Sequence, residues 1–164
     1  MAETVLDVDM LAFENGSKSD RQAVVDGVMQ SLKTGFVYTS HDMSQDFLDQ
    51  VYGMLGIFFD LSSDEKQTVT ANNTNGQRGY TGLLVETAAI SDIPDWKEML
   101  NWGMDLPSGH PLKARYPHRF LDNIFPENLV PGITETLETF HNQVLELQLR
   151  FLRIIAAGLN ASED

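Results

Sequence analysis

Histidines and carboxylates are the side chains in this sequence whose types could do chemistry, and their spacing decides which kind. The four histidines are His41, His110, His118 and His141. None stands in His-x-Asp, His-x-Glu or His-Glu-x-x-His. A metal ion needs two or three ligands converging on one point, so no metal-binding residue and no internal metal site is expected. His141 falls beside an apolar stripe and reads as a packed or boundary side chain. The 24 acidic residues are mostly placed, like Asp46, Glu135, Glu138 and Glu146, on the solvent faces of expected helices. There is no Gly-x-Ser-x-Gly elbow, phosphate loop or dinucleotide fingerprint, and no catalytic residue is assigned. One short run stands apart. In Arg78-Gly79-Tyr80-Thr81-Gly82, two glycines so close together imply a special backbone conformation or a close approach.

The elements around these residues follow from periodicity. The dominant one is a helix over 131–160, with Ile133, Leu137, Phe140, Val144, Leu147, Phe151 and Ile154 keeping one side apolar. Pro131 suits its first position and Gly158 with Asn160 its stop. At ~1.5 Å per residue it would be roughly 40 Å long, more than the shorter segments of this chain can cover. Contiguous apolar surface is therefore expected along one flank. Upstream, 5–11 alternates like a strand or extended arm. Ser19 or Asp20 should cap a helix burying Val24, Val25, Val28, Met29 and Leu32, ended by Gly35. Residues 36–39 read as a strand. Ser44 should cap a helix to about Asp60, burying Phe47, Leu48, Val51, Leu55 and Phe58, and 62–66 carries another cap. Residues 71–76 are a polar loop, and 96–103 a strand. The connector from 104 to 131 holds five of the six prolines, with one turn of helix expected near Phe120.

With 164 residues the chain has the length of one domain, 1–164, and enough to bury a core. Its fold class is α+β and mostly helical. The net charge of −13 argues against nucleic acid or an anionic membrane as partner, since both repel an acidic surface. Without cysteine there is no disulfide, thiol nucleophile or thiolate metal site. The first residues carry neither a basic region nor an apolar run, and no run approaches a membrane-spanning length. A cytoplasmic location is expected.

Several stretches in order resemble the N-terminal region of the isopenicillin N synthase-like oxygenases, the non-haem iron and mostly 2-oxoglutarate-dependent family. They are Gly35-Phe36-Val37-Tyr38, then Phe58-Phe59-Asp60-Leu61-Ser62-Ser63-Asp64-Glu65-Lys66, then Gln77-Arg78-Gly79-Tyr80-Thr81-Gly82-Leu83 with Glu86. Asp95-Trp96-Lys97-Glu98 with Trp102-Gly103 follows, and last Phe151-Leu152-Arg153-Ile154-Ile155-Ala156-Ala157-Gly158-Leu159. The similarity runs over nearly the whole chain. It implies the N-terminal part of a double-stranded β-helix (jelly-roll) oxygenase. The family's His-x-Asp iron motif and Arg-x-Ser 2-oxoglutarate motif are both missing here. The catalytic jelly-roll domain is thus expected beyond this chain, and Ser162-Glu163-Asp164 reads as the start of a helix that is cut short.

The resemblance implies a role in a complete enzyme that uses Fe(II) and 2-oxoglutarate to oxidise a small organic molecule. The segment alone should be inactive and bind neither cofactor. The missing jelly roll should pack on helix 131–160, and the loops of this part should border the substrate pocket. Arg78 and Tyr80 are the substrate-binding candidates. Arg78 offers a planar fork for a carboxylate, and Tyr80 an apolar face with a polar tip. Their bland alternatives are a surface ion pair and a core residue. Asp95, Lys97 and Glu98 are expected to form a structural charge cluster. The competing reading is a stand-alone helical protein-interaction module without catalytic activity. A metal-free enzyme ranks third.

Overall fold

The structure is a computed structural model that describes residues 5–72, 74–90 and 92–162. The helix start expected at Ser162-Glu163-Asp164 lies outside the described residues. The chain divides into two compact units: the described parts of Met1–Gln45 with Asn142–Asp164, and Asp46–His141. Each has its own apolar cluster.

In the first unit, β1 (Leu6–Val8) pairs in parallel with β2 (Val37–Thr39), Leu6 opposite Val37. The alternating run 5–11 is a strand only to Val8. There the Asp9 carboxylate accepts from the Leu11 and Ala12 amides and turns the chain into α1 (Met10–Asn15), which buries Met10 and Phe13 three residues apart. The next helix, α2 (Lys18–Ser31), is capped by Ser17 rather than Ser19 or Asp20. The Ser17 hydroxyl accepts from the Asp20 amide, and the Asp20 carboxylate accepts from the Ser17 amide at 2.9 Å. Val24, Val25 and Val28 are buried, whereas Leu32, one residue past the helix, is exposed. Val8, Met10, Phe13, the three valines and Ile154 form one cluster.

In the second unit, α3 (Gln45–Phe59) buries Val51 and Phe58. A reciprocal Ser62–Glu65 cap opens α4 (Ser63–Gln67). Antiparallel β3 (Gly79–Thr81) and β4 (Met99–Asn101) place Tyr80 opposite Leu100. The strand expected over 96–103 is thus three residues, and Trp96 is exposed. Near Phe120 the chain makes one hydrogen-bonded turn, the Arg119 and Phe120 amides donating to Tyr116 O at 2.9 and 3.2 Å, and the helix of this connector is α5 (Pro111–Arg115). Proline fits its first turn, and His110 Nδ1 accepts from the Leu112 amide at 3.2 Å. Val51, Phe58, Val69, Tyr80, Leu100, Val130, Ile133 and Leu137 form the second cluster.

The long helix α6 (Ile133–Gly158) has residues in both units. Pro131 does not open it. Gly132 intervenes at φ +85°, and the Glu127 carboxylate caps the helix by accepting from the Gly132 and Thr134 amides at 2.7 and 3.0 Å. At the other end Asn160, at φ +53°, makes the stop: its amide donates to Ala157 O, and the Ala161 amide donates to Ala156 O. Gly158 is the last helical residue, and it lies against Met29, where a Cβ would sit 2.5 Å from that side chain. Ile133, Leu137 and Ile154 are fully buried. The exposed apolar residues are on a different flank. Leu149 and Leu152 are more than half exposed, and Leu159 continues their spacing just past the helix.

Candidate functional site

β3 carries Tyr80, Arg78 immediately precedes it, and the strand's glycine explains where it lies. Gly79 is at φ +73°, and a Cβ there would stand 2.3 Å from Val69 O. Only glycine permits this conformation and this approach at no steric cost. The close approach lets the Tyr80 amide donate to Val69 O at 3.0 Å. It also pins the strand that carries Tyr80 from two sides, with Arg78 adjoining it.

Arg78 is half-buried. Its guanidinium lies on Gly103, where a Cβ would be 2.6 Å from Nη2. Nε donates to Leu121 O at 3.3 Å and Nη1 to Gln77 O at 2.7 Å. Gly103 is itself held by Asn123 through reciprocal bonds of 3.0 and 2.8 Å. Among the described residues no carboxylate pairs with Arg78, so the surface ion pair does not form there. Its charge is left with spare donors, held in place by neutral carbonyls.

Tyr80 is buried, with its ring edge-on to Phe58 at 5.9 Å between centroids. Its hydroxyl donates to Glu98 Oε1. Glu98 also pairs with Lys66 Nζ at 2.6 Å, and that ammonium donates to Phe59 O at 2.9 Å. Burial, and then the Glu98 carboxylate, push the Tyr80 phenol up to about 12. Lys66 first and Tyr80 second hold Glu98 below the usual carboxylate range. This network corrects the expected Asp95–Lys97–Glu98 cluster. Side chains on an extended segment alternate. Lys97 therefore meets Glu86 at 2.8 Å and Asp95 at 3.3 Å on one face, while Glu98 turns to Lys66 and Tyr80 on the other. Lys66 was legible only as part of a helix start, so its pairing had no sequence signal. Alternation puts Glu98 on the face opposite Lys97, but no local pattern names its partner.

Arg78, Tyr80 and Thr81 line an open cleft of about 810 Å³, with Thr70, Glu86, Leu83 and Val85 among its other walls. That volume lies in the range of small-molecule sites, roughly 300–1,000 Å³. Its described walls mix a cation, an anion, amide and hydroxyl groups and apolar side chains, which suits recognition. Among its described residues the cleft offers no nucleophile with an adjacent base. Among the described residues no three His, Asp or Glu side chains come together in a way that could hold a metal ion, so they do not fit iron. Among the same residues no helix is long and apolar enough to cross a membrane.

The family described as "non-haem dioxygenase in morphine synthesis N-terminal" matches residues 5–128. The chain belongs to it. Curated relatives of this oxygenase N-terminal region include the 2-oxoglutarate-dependent dioxygenase tropC of Talaromyces stipitatus. It is 26% identical over 96% of this chain and 50% of its own length. Among solved structures, a 2OG-Fe(II) oxygenase family protein from Caulobacter crescentus superimposes with a TM-score of 0.81 at 26% identity. The match covers 99% of this chain and 51% of that one. A full-length Neurospora crassa protein, solved in complex with alpha-KG, shares the fold at a TM-score of 0.75 and 23% identity, over 96% and 47% of the two chains. The chain therefore spans about half the length of the relatives it matches. It is the N-terminal region of the non-haem iron, 2-oxoglutarate-dependent oxygenase family, and the mixture of helices with a few short strands is the one its structural neighbours share.

Proposed function

We propose that this chain is the N-terminal half of an Fe(II)/2-oxoglutarate-dependent oxygenase that oxidises a small organic molecule. The cleft beside β3 forms part of the mouth of its substrate pocket. The observation that carries the reading is Arg78. Its guanidinium is placed by Gly103, Leu121 and Gln77 at the wall of a small-molecule-sized cleft, with no carboxylate partner among the described residues. A fixed fork with unused donors is suited to a substrate oxyanion. Tyr80 contributes its ring to the wall, while its hydroxyl is committed to Glu98. Iron and 2-oxoglutarate would be held by residues outside those described here, in a jelly-roll domain. The exposed flank of α6 at Leu149 and Leu152 gives that domain an apolar surface to meet.

The test is kinetic and uses the gene product that contains this chain. Arg78→Ala should raise the substrate KM roughly tenfold or more, the loss expected for a charge-assisted hydrogen bond, with the apparent affinities for Fe(II) and 2-oxoglutarate unchanged. An unaltered substrate profile would remove Arg78 from the pocket. The same exposed flank also favours the second reading, a stand-alone interaction module. That reading requires a partner protein and no 2-oxoglutarate turnover.

A further inference from the structure

Resting on the reading of this cleft as the pocket mouth, we propose that it takes an amphiphilic organic anion. Arg78 meets the anionic end, and Leu83 and Val85 meet an apolar body.

Charge comes first. The cleft walls include two ionic side chains of opposite sign, Arg78 and Glu86. Glu86 is already engaged, its carboxylate held at 2.8 Å by Lys97, which it shares with Asp95 at 3.3 Å. Arg78 has only neutral carbonyl partners among the described residues. Arg78 is therefore the ionic side chain of the described cleft walls that lacks an ionic partner, in a protein whose net charge is −13. A cation left so in an acidic protein selects an anion locally while the remote field disfavours one. The anion must therefore gain binding energy elsewhere.

The apolar wall supplies it. Leu83 is 45% exposed and Val85 68%, and both line the same cleft. They sit on a segment anchored across its neck: the Leu84 amide donates to Asp95 O at 3.0 Å and the Asp95 amide to Glu86 O at 2.8 Å. The two side chains are thus presented by a tied backbone. A tied pair of exposed aliphatic residues beside a fixed guanidinium matches a ligand with a charged end and an aliphatic or aromatic body. The Tyr80 hydroxyl, committed to Glu98, is not part of the recognition.

The experiment uses the chain itself and decanoate as probe, titrated calorimetrically below its micelle concentration, with acetate and decanol in parallel. Decanoate should bind one site, weakening as salt is raised. Acetate and decanol should each bind at least about tenfold more weakly, because each lacks one of the two contacts. Arg78→Lys keeps the charge but loses the planar fork, and should weaken decanoate by several-fold or more. Val85→Asp, at an exposed position that cannot disturb the core, should weaken it at least about fivefold by losing an apolar contact and adding a repelling charge. Decanoate and decanol binding alike, or decanoate indifferent to both substitutions and to salt, would overturn the assignment. So would self-association that abolishes decanoate binding, since the apolar wall would then serve a second copy. None of these outcomes depends on iron or on turnover. A failed decanoate titration beside an active oxygenase refutes this assignment alone, and an inactive gene product refutes the larger reading alone.

Discussion

Replacing Tyr80 by Phe tests the network that holds β3. The substitution keeps the buried ring against Phe58 and removes only the hydroxyl that donates to Glu98. A hydrogen bond to a charged group contributes about 1.5–3 kcal/mol. Glu98 retains Lys66, so the cost at neutral pH should fall at the low end, about 1.5 kcal/mol. Alkaline pH should then erase the difference. The folded phenol is raised from 10.0 to about 12. A group raised in the folded state contributes stability that is whole below its unfolded value and is lost as pH climbs through the folded value. For Tyr80 that window is pH 10 to about 12. By pH 11, roughly one unit above the unfolded value, most of the difference should be gone. Urea unfolding of wild type and Tyr80→Phe, followed by far-ultraviolet circular dichroism from about pH 7 to 11, should give two stability curves that converge near the upper limit. The other ionising groups are common to both proteins and cancel in the difference. Curves that stay parallel across the whole range would refute the buried hydrogen bond.

The remaining predictions concern other parts of the chain. Gly79→Ala should destabilise by at least about 2–3 kcal/mol, because alanine resists φ +73° and its Cβ would strike Val69 O; a urea midpoint near wild type would show that the strand can shift. Arg150 donates from Nε and Nη2 to the two oxygens of Glu14 and from Nη1 to Asp42, each at 2.7 Å. Arg150→Ala should cost about 1–2 kcal/mol, less in roughly 1 M salt, and a loss unchanged by salt would assign its effect to packing. Arg150 also holds the Glu14 and Asp42 carboxyls below their usual values. Their contribution is present above the ordinary carboxylate range and vanishes as pH falls through the depressed folded values, so the wild type should lose stability to acid more steeply than Arg150→Ala. On α6, Leu152→Asp should change stability by less than about 0.5 kcal/mol and reduce binding of a hydrophobic dye, whereas Phe151→Asp should unfold the chain. Equal thermal melts for the two variants would contradict the facing of that helix.

Much of the fold was legible because caps and periodicity act over a few residues. The α3 and α4 boundaries, the strand at 37–39 and the inward stripe of α6 follow from local pattern. The misplacements came where two signals overlapped. Ser17, Ser19 and Asp20 all resemble caps, and only the reciprocal bonding of Ser17 with Asp20 decides between them. Pro131 looked like a helix start, but the Glu127 carboxylate, four residues before it, caps the Gly132 and Thr134 amides instead. The exposed flank of α6 was expected, yet the residues on it, Leu149 and Leu152, were hidden behind the stronger stripe of Phe151 and Ile154. In the site, the glycine spacing around Arg78 and Tyr80 pointed to a close approach, and Gly79 makes one against Val69. The partners that settle each side chain, Gly103 and Leu121 for Arg78 and Glu98 with Lys66 for Tyr80, lie 18 to 43 residues away or on another element. No local pattern encodes them.

The central claim is that this chain serves an Fe(II)/2-oxoglutarate oxygenase through the cleft that Arg78 borders. The most direct measurement is succinate release by the gene product that contains the chain, assayed with Fe(II), 2-oxoglutarate and candidate substrates, for wild type and Arg78→Ala. Wild type should release succinate only when both Fe(II) and 2-oxoglutarate are supplied, and faster with substrate. Arg78→Ala should keep the substrate-independent release and lose the stimulation. No succinate release under any of these conditions, or full substrate stimulation in Arg78→Ala, would contradict the account.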